Sequence, residues 1–129
     1  MDVEHNVVGW FEVPVENMDR AIRFYETVFE FKMSRNQMGP LDMGWFPWIE
    51  NSIGSGGSLV YHPEYYKPST DGTLIYFTAN SGDLSNELSR VENAGGKIIQ
   101  GKTLIAEDYG YMAIIIDTEG NRVALHSRK

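Results

Sequence analysis

The stretch Trp10-Phe-Glu-Val-Pro-Val-Glu-Asn-Met-Asp-Arg-Ala-Ile-Arg-Phe-Tyr-Glu-Thr-Val-Phe29 constrains the fold more than any other. Val13 and Val15 alternate with Glu12 and Pro14, the period of a strand with two unlike faces. Met18, Ala21, Ile22, Tyr25, Val28 and Phe29 then recur at helical spacing, opposite charged Asp19, Arg20, Arg23 and Glu26. Asn17 stands where a helix N-cap stands, and Asp19 follows in the first turn near the positive end of the dipole. The spacing predicts a strand, a tight turn and a helix of about three turns.

Length and charge set the outer limits. A chain of 129 residues is one domain, and no apolar run approaches the length of a membrane span. With no cysteine, disulfides, thiol nucleophiles and thiolate metal sites are excluded. The net charge of −7 opposes binding to nucleic acid or an anionic membrane, because either surface would repel it. The N-terminal MDVEHNVV has neither the basic nor the apolar region of a secretory signal, so a cytoplasmic location is expected.

Further along, strands are expected at Phe31–Met38, Met43–Ile49 and Ser58–His62, with Glu50–Gly57 a loop by composition. Pro63–Gly72, with two prolines and a tyrosine pair, reads as an ordered linker at mid-chain. Thr73–Ala79 opens a second series: a strand, then a helix capped by Ser81 or Asp83 and ended by Gly95-Gly96. Strands at Lys97–Leu104, Tyr111–Ile116 and Asn121–His126 follow, the last two joined by a turn at Asp117-Thr-Glu-Gly120. Each half is thus βαβββ, about 6–62 and 72–127, within one domain spanning 1–129. Placing Gly9 over Gly72 aligns the halves without gaps through the helix entry. Two such units form an α+β fold with one sheet face free in each. Glu12, His62 and Arg122 on those faces would make a poor apolar core, so a polar-lined cleft in a curved mixed sheet is expected.

Asp19-Arg20-Ala21, Phe24-Tyr25 and Asp117-Thr-Glu-Gly-Asn121, set in this repeat, resemble the vicinal oxygen chelate superfamily of glyoxalase I, bleomycin-resistance proteins and extradiol dioxygenases. The WFEVPVENMDRAIRFYETVF segment is similar to glyoxalase-related proteins described as lyases without an established reaction. The resemblance implies a homodimer and a divalent metal held by His or Glu from the first and last strands of each module. Carried over residue by residue, the four ligand positions fall on Trp10, Ser58, Thr73 and Ala124. None is a good ligand for a divalent ion, so no cofactor is expected. A displaced site built from His5, His62, His126 and Glu12 lacks any supporting spacing.

Alternation puts Glu12 on the face of Trp10, His62 on that of Ser58 and His126 on that of Ala124. Glu12 is the candidate general base with His62 or Arg122 assisting, against plainer roles for Glu12 as an ion-pair partner of Arg122 and for His62 as a surface histidine. Trp10, Trp48, Phe77, Arg122 and His126 are candidate ligand contacts, the aromatics as a stacking platform, while Trp45 is assigned to the core. The expected function is metal-free binding of a small apolar or aromatic ligand. The alternative is a metal-independent lyase or isomerase using Glu12 as base, and the third a divergent divalent-metal lyase or dioxygenase. No nucleophile motif, phosphate loop or dinucleotide fingerprint is present.

Overall fold

The computed structural model describes residues 2–129. Its first module contains β1 (Trp10–Pro14), α1 (Met18–Phe29), β2 (Ser34–Met38), β3 (Leu41–Trp45) and β4 (Gly56–Tyr61). The second contains β5 (Tyr76–Thr78), α2 (Leu84–Val91), β6 (Lys97–Ala106), β7 (Gly110–Ile116) and β8 (Arg122–Ser127). The expected βαβββ repeat is therefore present twice. Asn17 caps α1 by accepting from the Arg20 amide, and Asp83 caps α2 by accepting from Ser85.

The sheet is in two halves, ordered β1-β4-β3-β2 and β5-β8-β7-β6. In each, the first strand pairs in parallel with the last and the rest is antiparallel. Among the described residues no backbone ladder joins the halves. Side chains bridge the seam instead: Phe11 of β1 meets Phe77 of β5 edge-on, with ring centroids 5.7 Å apart. Phe11 and Phe77 point toward the helices, where Tyr25, Phe29, Leu84, Val91, Ile115 and Leu125 complete one core shared by both modules.

The register corrects the gapless alignment of the two halves. Trp10 lies opposite Gly56 and Glu12 opposite Ser58, while Tyr76 lies opposite Ala124 and Thr78 opposite His126. Trp10, Phe11 and Glu12 thus correspond to Tyr76, Phe77 and Thr78, three residues beyond the Gly9–Gly72 pairing. Thr73 precedes β5 altogether. A second correction concerns Gly56 and Gly57, which begin β4 and do not belong to the preceding loop. A Cβ on Gly57 would collide with the Phe11 ring on the core face. One on Gly56 would come 3.3 Å from Cζ3 of Trp10 on the other face. The glycines make room for the rings of β1 on both sides of the sheet.

The Asp117–Asn121 turn does more than reverse the chain. Glu119 reaches the entry of α1, accepting from the amides of Glu16 (2.9 Å) and Asn17 (2.8 Å) and from Arg20 Nε (2.7 Å) and Nη2 (3.0 Å). Burial by itself raises a carboxyl pKa. Here the Arg20 bonds and the two amides outweigh it, and Glu119 is held below its ordinary value. Asp117 accepts from the buried Tyr25 hydroxyl at 2.7 Å, and Asn121 Nδ2 donates to the Pro14 carbonyl at 2.7 Å. Burial, followed by the neighbouring Asp117, pushes the Tyr25 hydroxyl well above its ordinary pKa.

Because Glu119 titrates lower folded than unfolded, its contribution is complete above the ordinary carboxylate range and fades as pH falls through the folded value. Glu119→Gln leaves donors unpaired at a side chain that is 0% exposed, so it should cost about 2–3 kcal/mol in urea unfolding at neutral pH. The gap between the two proteins should narrow as the pH is lowered below about 4.

Candidate functional site

The face of the first sheet turned away from the helices carries one row of side chains across four strands. Ser34, Trp45, Ser58 and Glu12 lie directly opposite one another in that order. Strand alternation also places Trp10 on this face, as the sequence predicts for Trp10 and Glu12. The Trp10 indole stands over Gly56 with its edge against Trp45, centroids 5.3 Å apart and planes at 69°.

Glu12 is held from two sides. Trp10 Nε1 donates to Oε2 at 3.3 Å, and the Tyr66 hydroxyl donates to Oε1 at 2.8 Å. Tyr66 comes from the mid-chain linker and adopts φ 58°, a left-handed conformation that a bulky side chain rarely takes. Its hydrogen bond to the carboxylate raises the Tyr66 pKa. The strained backbone and the aimed hydroxyl together fix the carboxylate, a role that sequence patterning does not signal.

Two buried side-chain polar atoms on this row have no hydrogen-bond partner among the described residues, Trp45 Nε1 and Ser58 Oγ. Such atoms are uncommon in native interiors, and each unmade bond costs about 1–3 kcal/mol. Trp45, assigned to the core from sequence, belongs to this face instead.

The remaining predicted residues are dispersed. Arg122 makes no ion pair with Glu12 among the described residues, although both line a 240 Å³ crevice with Lys67 and Asn121. His62 closes its own turn, with Nδ1 accepting from the amides of Glu64 (3.0 Å) and Tyr65 (3.2 Å) and its ring 4.9 Å from that of Tyr65. His126 lies on the second sheet, with Nε2 at 2.5 Å from the Tyr109 carbonyl. Trp48 is exposed in the loop after β3, beside a 420 Å³ depression that Gly56 and Thr78 also line. Phe77 does not share the Trp10 face. It sits among Phe11, Tyr25, Phe29 and Phe46 with centroids 5.3–5.7 Å away, because the residue opposite it is core Leu125. Its ring also forms part of the wall of a 590 Å³ apolar cavity at the seam, together with Val8, Phe46 and Ile75.

The residues do not fit a divalent metal. In register, Trp10 lies opposite Gly56 and Ala124 opposite Tyr76, so neither Ser58 nor Thr73 is the direct cross-strand partner of either. The set then offers one phenol, with no imidazole or carboxylate. Among the described residues no three His, Asp or Glu side chains are grouped to share an ion.

Residues 7–125 match the Glyoxalase/Bleomycin resistance protein/Dioxygenase superfamily. The chain belongs to that superfamily. In structure it is similar to a glyoxalase I variant from Zea mays, at 17% identity and a TM-score of 0.65 over 93% of this chain and 45% of that one. The chain thus spans somewhat under half of the maize enzyme. It is also similar to a glyoxylase/bleomycin resistance protein/dioxygenase domain from Frankia sp. EAN1pec (15%, TM-score 0.69, 100% of this chain and 98% of that one). TnmS3, an antibiotic binding protein from Streptomyces sp. CB03234, matches at 19% with a TM-score of 0.64, over 99% and 100% of the two chains. No curated protein sequence matches. At these identities the structural likenesses establish the fold.

Dialysis against Zn²⁺, Mn²⁺ or Ni²⁺ followed by elemental analysis should leave the protein far below one ion per chain, with no change in its melting temperature. Near-stoichiometric metal would show that a donor set forms elsewhere.

Proposed function

We propose that this protein binds a small aromatic molecule, without a metal, on the helix-free face of its first sheet. The observation that carries this reading is the pair of unpartnered buried polar atoms, Trp45 Nε1 and Ser58 Oγ, in the same row as an oriented carboxylate. An aromatic wall with a few convergent polar groups is the ordinary chemistry of a small-molecule site. TnmS3 is an antibiotic binding protein of this fold, which gives the binding reading a structural relative. The family resemblance further favours a homodimer, and exposed Val7, Ile49 and Ile53 supply apolar surface for one.

The alternative, Glu12 as general base in a lyase or isomerase, draws on the fixed aim of its carboxylate. Among the described residues, Glu12 is hydrogen-bonded by Trp10 and Tyr66 and by neither His62 nor Arg122, so no histidine or arginine stands in place to assist it.

A thermal-shift and tryptophan-fluorescence screen of neutral aromatic compounds separates the two. Binding should produce hits whose affinity falls about tenfold in Trp45→Phe and in Glu12→Gln, the loss of one aromatic contact or one charge-assisted hydrogen bond. Chemical conversion of any hit that disappears in Glu12→Gln would replace the binder with the enzyme.

A further inference from the structure

The site already holds an aromatic ring of its own. Trp10 is 41% exposed, rests on Gly56, presents its edge to Trp45 and donates an N–H to Glu12. That bond is long at 3.3 Å and lies at the surface, so it holds the indole only weakly. Tyr66 grips the other carboxylate oxygen at 2.8 Å and would keep Glu12 aimed if Trp10 left. Trp10 carries no acceptor atom, and the neighbouring Trp45 N–H and Ser58 hydroxyl remain without a partner.

We infer that Trp10 is a built-in stand-in for the ligand, displaced by a planar aromatic molecule carrying an O–H or N–H donor for Glu12 and an acceptor oxygen for Ser58 and Trp45. This rests on the reading of the face as a ligand site and adds to it the ligand's chemical class. The donor group is uncharged or cationic, because an anion beside Glu12 would meet a like charge. The acceptor distinguishes the ligand from Trp10 itself. It satisfies buried groups that the indole leaves empty, and unmade buried bonds are where discrimination is largest. Cross-strand positions are about 4.8 Å apart, so one fused ring system spans the distance from Glu12 past Ser58 to Trp45.

The probes are three neutral bicycles. 2-Quinolinone has an N–H donor beside a carbonyl acceptor, indole has the donor alone, and quinoline has no donor. In ¹H–¹⁵N spectra, 2-quinolinone should shift the Trp45 indole N–H downfield and bind about tenfold more tightly than indole or quinoline, the gain of one buried hydrogen bond. Ser58→Ala should erase that margin and leave indole binding unchanged. Trp10→Ala should strengthen 2-quinolinone binding about five- to twentyfold, because it removes a competing aromatic contact and hydrogen bond. Equal affinity for indole and 2-quinolinone, or weaker binding in Trp10→Ala, would overturn the stand-in and leave the binding site intact. If no bicycle binds the wild type or Trp10→Ala, the reading of this face as an aromatic site fails with it.

Discussion

Glu119 holds the two modules in one relation. Its carboxylate is removed from water, and five donors answer it: two backbone amides at the entry of α1, two nitrogens of Arg20 and the Thr118 hydroxyl. A lone buried carboxylate would be strongly unfavourable, and a geometry with five hydrogen bonds makes the charge tolerable. The position also uses the positive end of the α1 dipole. Asp117 and Asn121, from the same turn, add the Tyr25 hydroxyl and the Pro14 carbonyl. The turn that closes the second module is therefore the device that docks the first. The aromatic seam between Phe11 and Phe77 supplies apolar burial without direction, while the Glu119 bonds supply direction.

That arrangement makes β1 unequal along its length. Its C-terminal end is fixed by Asn121 through Pro14, by the Val15 amide donating to the Val60 carbonyl, and by Glu119 through Glu16 and Asn17. Its N-terminal end has β4 on one side and no ladder partner on the other. Trp10 stands at the free end and Glu12 between the two. The proposed exchange of Trp10 for a ligand, with the Glu12 carboxylate kept aimed, would draw on this gradient. The left-handed backbone at Tyr66 serves the same purpose from the linker, since its strain is tolerated where it places a hydroxyl against Glu12.

Much of the fold is legible in the sequence because local rules and tertiary needs agree there. The α1 stripe and its Asn17 cap follow from spacing and side-chain chemistry alone, and the second cap is narrowed to Ser81 or Asp83, of which the structure uses Asp83. What was not legible depends on contacts distant in sequence. Asp117-Thr-Glu-Gly-Asn121 has the composition of a hairpin turn, and nothing local reveals that Glu119 bonds to residues about a hundred positions earlier. Gly56-Gly57 has loop composition, yet forms strand because two rings of β1 need the space. Phe77 and Trp45 exchanged roles for one reason. Alternation tells which residues share a face, and the register that decides which face is the core comes from pairing between strands. The three-residue offset between the halves likewise arises in the segment before β5, where the sequence offers no marker.

On the proposed reading, Trp10 stands where the resemblance implies a first metal ligand, and this changes what the face would select. A divalent ion there would favour anionic, oxygen-rich molecules and polarise them as a Lewis acid. Trp10, Gly56, Tyr76 and Ala124 supply no such charge. The nearest formal charge on the row is the Glu12 carboxylate, opposite in sign to a metal. A carboxylate disfavours the anions that a metal would attract, and a neutral planar molecule exchanging with the Trp10 ring would regain the dispersion of its contact with Trp45. With the strongest electrostatic term removed, recognition passes to hydrogen-bond matching, where an unpaired indole N–H and an unpaired hydroxyl matter most. On the proposed reading, the fold stays the same while the charge on this face is opposite in sign to a metal's, which suits it to discriminating aromatic ligands and not to activating oxygen ligands.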